Sequence, residues 1–141
     1  MKPVLLALAL IIASTSAHAE DFCKRQPLDP EFPGGLEGRY DILGKDPVSG
    51  KAYLGSLTLS VDKDSYSLMR SVQGKRIKGD AWIELCGADK IMTLTARYFT
   101  KPLTELICSI GTQGDNYYRI TCRVRQGPRR EKGLEAWFQQ Q

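Results

Sequence analysis

From residue 38 onward, apolar side chains return at every second position in short runs, and nowhere at the spacing of a helix. Alternation of that kind places successive side chains on opposite faces of a strand. Residues 52–62 are the clearest case. Tyr53, Gly55, Leu57, Leu59 and Val61 share one face, with Leu54, Ser56, Thr58 and Ser60 on the other. Further runs cover 38–43, 65–72, 76–86 with an interruption at Gly79, 91–99, 104–110, 117–125 and 134–138. Turn-forming segments separate them, among them 44–50, Asp62-Lys63-Asp64, Gln73-Gly74, 111–116 and 126–132. Every connection is short, so neighbours in sequence pair as hairpins. The expected fold is therefore all-β, an antiparallel eight-stranded up-and-down meander. Such a sheet closes into a small barrel or folds over as a flattened β-sandwich, and closure removes the unpaired edges that invite aggregation. The barrel is the expectation, with the sandwich as alternative.

The segment ahead of these strands has a different character. Lys2, an apolar run from Val4 to Ala13 and the small residues of Ala17-His18-Ala19 read as a secretory signal cleaved between Ala19 and Glu20. Ten apolar residues fall short of the ~20 that span a bilayer. The domain reading is a signal at 1–19, an irregular arm at 20–37 rich in proline and glycine, and the barrel at 38–141. No comparable apolar run follows, so no transmembrane segment is expected in the mature chain. Glu20-Asp21-Phe22 ahead of Cys23 does not fit a lipobox. The expected location is the periplasm or the medium outside the cell.

Removing residues 1–19 leaves 122 of the 141 residues, lowers the formal net charge from +4 to +3, and takes away His18, the one histidine. A chain without imidazole has no Ser-His-Asp or Cys-His catalysis, no histidine-dependent zinc site and no histidine pH switch. The four cysteines, Cys23, Cys86, Cys108 and Cys122, all remain. An even count in a small exported domain reads as two disulfides. Cys108 shares a face with Leu106 and Ile110, and Cys122 with Ile120 and Val124, so both point inward from strands joined by one hairpin. Cys108–Cys122 with Cys23–Cys86 is the first pairing, and Cys86–Cys108 with Cys23–Cys122 is the rival. No pair has C-x-x-C spacing, so neither a metal site nor a cofactor is expected.

Three short motifs carry a resemblance: Gly38-Arg39-Tyr40 at the first strand, Tyr53-Leu54-Gly55-Ser56-Leu57-Thr58-Leu59 at the second with Tyr66 beginning the third, and Glu135-Ala136-Trp137 on the last. Together they resemble small exported eight-stranded barrels of the calycin type, the group that holds lipocalins and avidins, and in particular uncharacterised secreted bacterial proteins of that form. The resemblance implies a barrel that binds. It supplies no ligand, because Tyr40 stands where a lipocalin carries the tryptophan of its G-x-W opening, and no biotin-binding set is recognisable.

No catalytic residues are assigned. Glu84, Glu105 and Asp115 lack motif spacing, and no phosphate loop or dinucleotide fingerprint is present. Two surface readings remain. Arg119, Arg123, Arg125, Arg129, Arg130 and Lys132 form a basic patch, with Lys75, Arg76 and Lys78 as a second group. They serve either as a solubilising face or as a contact for anionic glycan, lipid headgroups or an acidic protein. Nucleic acid does not fit the modest charge or the compartment. The candidate ligand residues are Tyr66, Arg70, Tyr98 and Tyr40, with Tyr53, Trp82 and Trp137 as further aromatics. Arg70 shares its strand face with Tyr66 and Leu68. An arginine there sits at the barrel rim, or needs an internal acid such as Glu84, or an anionic ligand. A cavity of roughly 300 Å³ or more lined by Tyr66, Arg70 and Tyr98 would mark a small-ligand carrier or sensor. A filled barrel with protruding loops at 44–50, 111–116 or 126–132 would mark a protein-binding module, such as an inhibitor of a cell-wall hydrolase or an immunity protein. Ligand, partner and oligomeric state stay open at this point.

Overall fold

The computed structural model describes residues 22–29, 31, 34–113, 117–127 and 133–141. The signal reading at 1–19 and the tips of the 111–116 and 126–132 loops lie outside the described residues. Strand β1 (Cys23–Gln26) is followed by β2 (Gly38–Lys45), β3 (Ala52–Asp62), β4 (Ser65–Val72), β5 (Lys75–Cys86), β6 (Ile91–Tyr98), β7 (Thr104–Gln113), β8 (Tyr117–Gln126) and β9 (Gly133–Gln139). Strands β2 to β9 pair antiparallel in chain order. β9 returns to β2, so the eight form a closed barrel. The barrel, not the sandwich, is the fold.

Two details differ from the sequence reading. The arm is not irregular throughout, because β1 pairs outside the barrel with the far half of β5, Cys23 opposite Cys86. The interruption at Gly79 is absent, and β5 runs straight through. A Cβ at Gly79 would stand 2.1 Å from the Arg97 carbonyl oxygen, so only glycine lets β6 lie that close. Gly79 is a packing device within a strand.

Alternation then builds the interior. Leu57, Leu59, Leu94, Leu106, Ile120 and Trp137 are essentially without solvent exposure and fill the middle of the barrel. The disulfides are Cys23–Cys86 and Cys108–Cys122, the first of the two expected pairings. Cys108 and Cys122 face each other directly across β7 and β8. Both are buried, whereas Cys23 is exposed. Two disulfides are consistent with an oxidising extracellular compartment. Among the described residues, no helix is long and apolar enough to cross a membrane.

A meander sends alternate connections to opposite ends. The turns after β2, β4, β6 and β8 gather at one end, called here the mouth. Those after β3, β5 and β7 gather at the other, with the arm.

Candidate functional site at the barrel mouth

The candidate ligand residues divide between the two ends. Arg70, late in β4, and Tyr98, at the end of β6, meet at the mouth. Tyr66, at the start of β4, and Tyr40 lie toward the arm. Tyr40 donates its hydroxyl to the Leu36 carbonyl at 2.5 Å and packs edge-on to Trp137, ring centroids 6.1 Å apart. Burial pushes Tyr66 up to about 12, with the nearby Glu37 and Tyr118 adding to the shift. Tyr66 lines a cavity of about 320 Å³ with Leu28, Leu36, Ile83, Ile110 and Tyr118. Arg70 and Tyr98 do not line that cavity. The joint cavity that would mark a carrier is therefore not seen among the described residues, because packed core separates the two ends. Trp82 faces outward, with its indole N–H donated to Glu84 at 2.9 Å and the Arg97 guanidinium 4.8 Å above its ring.

Arg70 has an internal acid, and it is Glu135 rather than Glu84. Glu84 points outward to Trp82 and to the Thr95 hydroxyl at 2.8 Å. Glu135 belongs to β9, and its side chain is fully enclosed. Its Oε2 accepts the Tyr53 hydroxyl and the Arg70 Nε–H, the latter at 3.3 Å. Its Oε1 accepts the Tyr98 hydroxyl and the Trp137 indole N–H, the latter at 2.7 Å. Four donors on one carboxylate compensate the loss of water that would otherwise make a buried charge costly.

Local sequence explains the arrangement. Gly44 of β2 is paired with both Tyr53 and Glu135. A Cβ there would fall 2.1 Å from the Tyr53 ring, so the missing side chain leaves the space these two occupy. The Tyr53 and Tyr98 rings then flank the guanidinium, with centroids 4.8 and 5.0 Å from its carbon, a cation–π contact on both sides. Burial alone pulls the Arg70 pKa down, but Glu135, Tyr98 and Tyr53 together raise it further. Burial and the adjacent Glu135 hold the Tyr53 and Tyr98 hydroxyls protonated far above the usual tyrosine range.

A guanidinium carries five N–H donors. Glu135 takes the one on Nε. The rest border two clefts of about 230 Å³ each, which share Asp46, Tyr53 and Arg70. Lys75, Thr100, Thr104 and Gln126 line the first, and Ser49, Lys51 and Gln73 the second. Asp46 rigidifies the β2–β3 turn beside them. Its Oδ1 accepts the Ser49 amide at 2.6 Å, the Val48 amide at 3.0 Å and the Ser49 hydroxyl at 3.0 Å. Those bonds, the Ser49 amide first, lower its pKa.

Glu135 and Tyr53 were not among the candidate ligand residues, although both stand in the motifs that carried the resemblance. The signal for Glu135 was its place two residues from Trp137, on the same strand face. The basic patch is only partly placed. Arg119, Arg123 and Arg125 are exposed on the outer face of β8, while Arg129, Arg130 and Lys132 lie outside the described residues. Cys23, Glu84 and Cys86 come within 4.8 Å of one another, but the two sulfurs are bonded to each other and offer no thiolate to a metal.

Fold and site together define a disulfide-stapled antiparallel barrel, plugged at one end by its own arm and floored at the other by a buried ion pair. Compared with protein-family models, curated proteins and solved structures, the chain finds no match in any of the three.

Proposed function

We infer that this protein works outside the cytoplasm by binding and not by catalysis, and that the barrel mouth takes a small acid. One observation carries the reading. Arg70 is a nearly buried, fully charged guanidinium with donors left over, held between two tyrosine rings at the floor of two small clefts. Planar N–H pairs of this kind match the oxygens of a carboxylate or phosphate. At about 230 Å³ each, the clefts fall below the ~300 to 1,000 Å³ typical of sites for larger ligands. That size selects a compact anion over a lipid or a haem. Support for a non-catalytic role comes from Glu135, whose oxygens are all engaged, and from the cysteines, which are all in disulfides.

The protein-binding reading is favoured by a different observation. The middle of the barrel is filled, and the β2–β3 turn is stiffened by Asp46 while holding Val48 out to solvent. An acidic side chain of a partner would enter the same clefts, so both readings share the carboxylate. Calorimetry with acetate, succinate and inorganic phosphate separates them from no function at the mouth. Saturable binding of at least one anion, weakened tenfold or more by Arg70→Lys, is the expected result. No heat with any of the three would end the small-acid reading.

A further inference from the structure

The mouth rim carries a pattern that extends beyond the ligand site. Its turns and the strand ends beside them present Lys45, Lys51, Lys75, Arg76 and Lys101, all exposed, against Asp46 and the exposed Glu105 as acids. The arm end is more nearly balanced, with Asp29, Glu31, Asp62, Asp64 and Asp89 exposed beside Lys24, Arg25, Arg39, Lys63 and Lys90, and with Asp64 paired to Arg25. The excess of positive charge therefore lies at the mouth. Apolar tips stand among these cations. Val48 in the β2–β3 turn is 65% exposed, and Phe99 and Leu103 in the β6–β7 connection are 56% and 41% exposed.

We propose that the mouth rim is a docking surface for an anionic lipid membrane, with Val48, Phe99 and Leu103 entering the headgroup region and the surrounding cations contacting lipid phosphates. Three arguments favour a membrane over other occupants. Cations alone would suit any polyanion, but large exposed apolar side chains gain only from an apolar layer beneath the charge. The tips sit on separate turns around an opening, so they meet a plane at several points. They do not form the continuous face of ~800 Å² per partner that a stable protein interface buries. A second copy is disfavoured because like charges would face each other. Each cation near an anionic surface adds a modest increment, and several together with apolar tips give reversible attachment.

The test is flotation of the whole protein with phosphatidylcholine vesicles, with and without phosphatidylglycerol. Co-flotation is expected only with the anionic vesicles and is lost as salt rises. Lys45→Glu, Arg76→Glu and Lys101→Glu together should weaken binding by roughly a hundredfold or more. Val48→Ser, Phe99→Ser and Leu103→Ser together should weaken it by about tenfold. None of these six residues lies on the Arg70 clefts, except that Val48 neighbours Asp46, so anion binding by calorimetry should survive in the lysine and arginine variant. Lys63→Glu with Lys90→Glu, at the arm end, should leave flotation unchanged. No flotation with anionic vesicles would overturn the proposal. So would equal loss from the arm-end variant, or binding to soluble polyglutamate that the serine substitutions leave intact.

Discussion

The two ends of this barrel solve the same problem with different chemistry. At the arm end, the opening is covered by the chain itself. Leu28 and Leu36 pack inward, Tyr40 bonds to Leu36, Tyr118 bonds to the Gly34 carbonyl at 3.1 Å, and Gln139 to those of Gly35 and Glu37 at 3.2 Å. At the mouth no segment among the described residues plays that part, and a charged network forms the floor. At the arm end the polar group left over is an acceptor, Glu37 Oε2, which is enclosed without a hydrogen-bond partner among the described residues. An arginine held by one acid and two rings keeps donors to spare. Spare donors suit an anion and a spare acceptor does not, which is why the mouth, and not the arm-end cavity of about 320 Å³, is the candidate site for an acid.

The largest expected effect comes from breaking the ion pair. Glu135→Ala leaves Arg70 buried without its counter-charge and should cost about 3–5 kcal/mol in urea unfolding. Arg70→Met with Glu135→Leu should recover most of that loss, because the cost lies in the orphaned charge. A comparable loss from Tyr40→Phe, which removes only a plug hydrogen bond, would erase the contrast between the ends.

Alkali probes both ends together. Tyr40, Tyr66 and Tyr98 are buried, and their pKa values are raised in the fold, by desolvation first. The unfolded chain ionises them near pH 10 while the folded chain does not. Their contribution is thus fully present below pH 10 and declines above it, by about 1.4 kcal/mol per pH unit for each tyrosine. Tm should be level from pH 7 to 9 and fall steeply beyond pH 10. A flat profile to pH 11 would mean that these hydroxyls titrate freely.

Reduction separates the staples. Cys23 is exposed and Cys108–Cys122 is enclosed by β7 and β8, so mild reductant followed by alkylation and mass spectrometry should label Cys23 and Cys86 first. The arm should then loosen, with faster amide exchange over 23–28, while the mouth stays protected. Simultaneous labelling of all four cysteines would contradict this order.

The smallest effect concerns the rim. Asp46 has a lowered pKa, so its hold on the β2–β3 turn is complete above its ordinary value of 3.8 and is lost as pH falls below it. Amide exchange at Val48 and Ser49 should rise in acid with little change in global stability. Asp46→Asn should reproduce part of that rise at neutral pH.

Much of this was readable in the residues. The two-residue alternation gave the strands, and short turns gave the meander. The shared faces of Cys108 with Leu106 and of Cys122 with Ile120 led to the observed disulfide. Height along the barrel was also encoded, though less openly. Tyr66 follows an arm-end turn, and Arg70 is four residues further, about 13 Å at 3.3 Å per residue, so the two stand at different heights in the barrel. Glu135 was hidden for a physical reason. Counting apolar residues on β9 puts Leu134, Ala136 and Phe138 inside, yet Leu134 is 57% exposed and Trp137 is buried. One large indole and one well-partnered acid outweighed three smaller apolar side chains. The pair Arg70–Glu135 spans 65 residues of sequence, and no local pattern reports such a contact.

The contrast between the ends is tested most directly by side-chain NMR of the arginine and tyrosine signals during titration with acetate and phosphate. The account predicts saturable shifts at Arg70, Tyr53 and Tyr98, with Tyr40 and Tyr66 unmoved. Shifts at the arm-end tyrosines, or none at Arg70, would contradict it.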